Sequence, residues 1–139
     1  MRSRIATIIK FLPIFEAISP DDFARYCESA DGTEENPTIG HLQYHPAVCE
    51  FMQSCYENGL VLSFDWGAWS HEVRHYMSNP LLIASANPET CIKLLTAHLR
   101  AERFCDGHLQ EVLQSGHITA ILRRLKQLGS ARLENAKAN

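Results

Sequence analysis

Residues 87–107 read Asn-Pro-Glu-Thr-Cys-Ile-Lys-Leu-Leu-Thr-Ala-His-Leu-Arg-Ala-Glu-Arg-Phe-Cys-Asp-Gly. Asn87 can cap a helix, Pro88 suits its first position, and Glu89 faces the positive end of the helix dipole. Cys91, Leu94, Leu95, His98, Leu99 and Cys105 then recur at helical spacing, with Ile92 at the edge of the stripe. Asp106-Gly107 breaks the run, so a helix to about Phe104 or Cys105 is expected. Downstream, residues 108–115 place Leu109, Val112 and Leu113 on one side and stop at Gly116. Ile118, Ile121, Leu122, Leu125 and Leu128 form a last amphipathic stripe, which Gly129 is expected to close.

Upstream the punctuation is of the same kind. Ile5, Ile8, Ile9 and Leu12 share a helical face, and Pro13 ends or kinks that helix. Ser19-Pro20-Asp21-Asp22 is a start signal for a short helix through about Glu28, and residues 30–45 read as a loop. Pro46 opens a helix carrying Val48, Phe51, Met52 and Cys55, closed by Asn58-Gly59. Leu60–Phe64 fits one strand with no partner strand. Asp65 is expected to cap a helix with Trp66, Trp69, Val73, Tyr76 and Met77 on one side, and Asn79-Pro80 ends it. The pattern predicts an all-α protein: a compact bundle of six to eight short helices with at most one stray strand. It divides into a single helical domain over residues 1–129 and a flexible C-terminal tail over 130–139.

The composition suits such a domain. The chain has 139 residues, 45% hydrophobic and 21% charged, which argues against collagen-like, disordered and coiled-coil classes. The net charge of −3 is unevenly spread: residues 1–70 carry 4 basic and 10 acidic residues, residues 71–139 carry 9 and 6. An acidic chain is a poor general nucleic-acid binder, so no nucleic-acid partner is expected. The five cysteines are odd in number and form no CxxC pair, which points to reduced thiols and a cytoplasmic location. Lys10 and Pro13 interrupt the apolar N-terminal run too early for a signal peptide, and no stretch is long enough for a membrane span.

Two patterns carry chemistry. His71-Glu72-Val73-Arg74-His75 matches HExxH, in which two histidines one turn apart hold zinc and the glutamate activates a water. Here His71 and His75 fall nearly opposite the side bearing Trp66, Trp69, Val73 and Tyr76. Arg74 sets a cation beside the intended metal. Ser78 and Leu81 stand where the extended motif has glycine and histidine. His41 and His45 make a second HxxxH pair in the loop region, a weaker metal signal. The second pattern is a stripe of Thr96, Arg100, Arg103 and Gly107, at i, i+4, i+7 and i+11. Two guanidiniums about 60° apart on a helix can converge on one carboxylate or phosphate. Gly107 and the start of the following helix can add backbone N–H donors, and His108 lies beside them. The competing reading has Arg100 and Arg103 neutralised by a protein acid such as Asp65 or Glu72. Glu102 and His98 fall within the apolar face and read as a buried pair, while Trp66 and Trp69 read as core residues.

Phe64-Asp65-Trp66 with Trp69, Leu94-Leu95-Thr96-Ala97, Arg100 through Arg103-Phe104, Gly107-His108-Leu109, Gly116-His117-Ile118 and Ile121-Leu122-Arg123-Arg124-Leu125 together resemble a bacterial family of small uncharacterised proteins, a domain of unknown function. The resemblance spans roughly residues 60–128. It implies a single cytoplasmic domain and marks Asp65, Trp66, Arg100, Arg103 and Gly107 as recurrent, with His71 and His75 outside the pattern. It brings no activity with it.

The leading expectation is a small helical binding module, more than an enzyme, with no cofactor. No GxSxG, Walker loop or GxGxxG is present, and no nucleophile can be paired with a base. An anionic small molecule or an acidic protein segment would meet Arg100, Arg103, Asp65, Trp66, Gly107 and His108. The alternative is a zinc-dependent hydrolase with His71 and His75 as ligands and Glu72 as its base. Homodimerisation through the last amphipathic helix is a third expectation.

Overall fold

The structure, a computed structural model, describes residues 2–27 and 41–138, with the side chains of residues 2, 3 and 130–138 left aside. Among the described residues there are seven α-helices: α1 (Arg2–Ile9), α2 (Phe11–Ala17), α3 (Pro46–Glu57), α4 (Ser70–Ser78), α5 (Pro88–Phe104), α6 (His108–Gln114) and α7 (His117–Ala138). Two short 3-10 turns, Pro20–Asp22 and Pro80–Ser85, and a hairpin of β1 (Ala24–Cys27) and β2 (His41–Tyr44) complete them. The mostly helical class is as the sequence predicts.

α5 is the axis. Cys91, Ile92 and Leu94–Leu99 are all buried, so packing surrounds the helix for most of its length. The Asn87 side chain accepts the Thr90 N–H, as the capping signal predicts. α6 and α7 pack against it, and α7 also meets α1, α2 and the Pro80–Ser85 turn. Ile118, Ile121, Leu122 and Leu125 are buried in these contacts. Phe11, Phe15 and Phe51 pack at the N-terminal end of the core, Phe11 and Phe15 each edge-on to Phe51. Among the described residues, no helix is long and apolar enough to cross a membrane.

Four local expectations are corrected. The first helix breaks at Lys10, not at Pro13, which lies in the first turn of α2. A proline ring collides with the carbonyl four residues earlier, which is Ile9, the last residue of α1; in a first turn its missing N–H costs nothing. Pro20–Asp22 makes only one 3-10 turn before β1 begins, and residues 28–40 of the expected helix end and loop lie outside the described residues. β1 pairs antiparallel with β2, Ala24 opposite Tyr44 and Cys27 opposite His41, whereas Leu60–Phe64 is not a strand. α7 runs through Gly129 to Ala138 where a helix end and a flexible tail are expected. Ala, Leu, Glu, Lys and Arg dominate residues 131–138 and carry the helix past a single glycine.

Candidate functional site

The last turn of α5 leaves the core. Leu99 is buried, Arg100 half-buried, and Arg103 and Phe104 exposed. Residues 60–66 run alongside as a strap. Thr96 fastens one end: its hydroxyl accepts the Leu62 N–H at 3.0 Å and lies 3.2 Å from the Leu60 carbonyl and 2.9 Å from that of Ile92. Trp66 fastens the other, its ring stacked on Phe104 with centroids 5.9 Å apart. Arg100 lies one helical turn from each fastening, and its Nε is buried with no hydrogen-bond partner among the described residues. The Arg103 guanidinium lies 5.1 Å over the ring of Tyr56, at the end of α3. Among the described residues neither arginine forms an ion pair; those found are His71–Glu72, Lys93–Glu89 and Arg123–Glu16.

The other residues of the expected site divide. Asp65 caps a turn rather than a helix: its Oδ1 accepts the Ala68 N–H, and α4 starts only at Ser70. Trp66 is half-buried on Phe104, away from the core, whereas Trp69, edge-on to Phe64, is half-buried and packs against the core. Gly107 adopts φ 98°, a left-handed turn that disfavours a side chain. Its N–H is directed at Glu102, not at open space. His108 turns inward to His98. Two separate contacts result, Trp66 on Phe104 and Arg103 over Tyr56, with Arg100 one turn from Phe104 along α5, while Gly107 and His108 serve a neighbouring junction.

That junction was not foreseen. The Glu102 carboxylate accepts the Gly107 N–H at 3.2 Å, the Leu109 N–H at 2.8 Å and the hydroxyl of Tyr44, which itself accepts the Gln110 N–H at 3.1 Å. It caps α6 and ties β2 to it. Burial, then the Glu102 contact, raises the Tyr44 pKa above its ordinary value of 10.0. Glu102 thus pairs with Tyr44 and α6, not with His98. His98 instead meets two other imidazoles. Its Nδ1 lies 3.0 Å from Nε2 of His108, and the His117 ring stands edge-on with centroids 4.8 Å apart. The Nε2 atoms of His98 and His117 are buried without a partner among the described residues. Burial first, then the neighbouring imidazoles, holds His98 well below its ordinary value and His117 at about 4. The sequence held a signal for this cluster: both helices after α5 open on Gly-His, at 107–108 and 116–117.

The HExxH residues lie on α4 in the open. His71 is 71% exposed and pairs weakly with Glu72 at 3.5 Å, and His75 is exposed against Tyr76. Among the described residues no group of three His, Cys, Asp or Glu side chains is placed to hold a metal ion. His41 and His45 are separated by function: His41 faces Cys27 across the hairpin, and His45 Nδ1 accepts the Ala47 N–H to cap α3.

No curated protein and no solved structure matches the chain. A family model described as a family of unknown function (DUF6508) matches residues 1–131.

Proposed function

From the premise that this chain belongs to the DUF6508 family of unknown function, we propose that it is a binding module whose ligand presents a carboxylate or phosphate to Arg100 and Arg103. One observation carries the reading: two guanidiniums stand one turn apart with no carboxylate on either among the described residues, and Arg100 keeps a buried, unpartnered N–H. A buried donor left unmade costs about 1–3 kcal/mol, and an anion would recover it. The Tyr56 ring beneath Arg103 and the burial of the Arg100 Nε restrict the two side chains, so less freedom remains to be lost on binding.

Calorimetric titration of the full chain with pyrophosphate and with citrate tests the reading. Binding should weaken as salt is raised, and Arg103→Ala should weaken it about tenfold, the worth of one charge-assisted hydrogen bond. Absence of binding by either anion overturns it.

A further inference from the structure

We infer that the ligand is a protein segment that sets one or two carboxylates beside an aromatic side chain. This rests on the anion-binding reading and narrows it. Phe104 is 81% exposed at the end of α5, yet its ring is not isolated: Trp66 stacks on it, and Arg103 next in sequence stacks on Tyr56. Ile14 and the neighbouring pair Leu81 and Leu82 are also exposed, but these are aliphatic side chains that offer no flat ring. Trp, Tyr, Phe and Arg are enriched in protein–protein contacts, the rings because they offer a large flat surface with little freedom to lose and Arg because its planar fork both stacks and hydrogen-bonds. Small-molecule sites enclose most of their ligand, whereas a ring that projects into solvent favours an extended segment lying across it.

Charge limits what that segment can be. Asp65 adjoins Trp66, and Asp106 follows Phe104 by two residues, both exposed. Asp65 is partly engaged by the Ala68 N–H, but its charge remains. A long acidic run would meet these carboxylates as well as the arginines. A segment with few acids and one ring satisfies Arg100 and Arg103, covers Phe104, and keeps clear of both aspartates.

Three labelled peptides equal in length, with Ser-Gly flanks, give the test by fluorescence anisotropy on the full chain: one with an Asp-Trp-Glu core, one with Asp-Ala-Glu, and one of glutamates only. The first should bind at least about tenfold more tightly than the other two, and Phe104→Ser should remove that preference. Phe104 is exposed, so this variant should fold; circular dichroism checks it. Equal binding of the three peptides, or a preference untouched by Phe104→Ser, overturns the inference while pyrophosphate binding leaves the broader reading standing. If neither peptides nor pyrophosphate bind, both fall.

Discussion

Thr96 carries one hydroxyl and serves backbone groups on two elements, its own helix and the strap. Valine has the same shape without the hydroxyl, so Thr96→Val should leave the Leu62 N–H and the Leu60 carbonyl unpaired and cost about 1–3 kcal/mol in urea unfolding. His98 and His117 give a pH dependence with a definite sign. A base whose folded pKa lies below its unfolded value binds fewer protons when native. Stability is then whole above the unfolded value of 6.5 and is lost as pH falls from there toward about 4, the folded value of His117. The slope is about 1.4 kcal/mol per pH unit for each such group. His117→Gln should flatten that slope in unfolding curves taken between about pH 6.5 and about pH 4.5; an unchanged slope counts against it. Single residues were only partly legible from the sequence. The arginine stripe follows from spacing alone. That Gly107 and His108 serve Glu102 and His98 instead depends on how α6 folds back on α5, which no periodicity within either helix encodes.

Among the elements, α7 offers the cleanest test. Gly129 lies inside the helix with open space around its Cα, nothing within 4 Å of where a methyl would sit. Gly129→Ala should raise stability by about 0.5–1 kcal/mol, chiefly by restricting the unfolded chain. The same change at Gly107, φ 98°, should destabilise, because that conformation strains any Cβ. The helices read well from sequence where caps and stripes agree, as in α3 and α5. The hairpin did not. Each strand is four residues long, too short for alternation to register, and Pro20-Asp21-Asp22 opens a single turn in the same letters that open a long helix. The extent of α7 was missed because a glycine was read as a stop signal, though the helix formers beyond it outweigh one poor residue.

For the molecule as a whole, the basic C-terminal half and the acidic N-terminal half of the sequence meet at the end of α5, where Arg103 of one half rests over Tyr56 of the other. The exposed histidines of α4 take no part in the core, so a His71→Ala/His75→Ala variant should unfold within about 0.5 kcal/mol of the parent and be indifferent to chelators. A larger loss on metal removal would instead restore the zinc reading. The strap has one more consequence. The amide proton of Leu62 is held by a side chain one turn from Arg100, on the segment that also carries Trp66. Whatever docks on the guanidiniums must steady or disturb that amide, so its nuclear resonance is an internal gauge of occupancy: its frequency and solvent exchange should change with ligand concentration at a position no ligand touches.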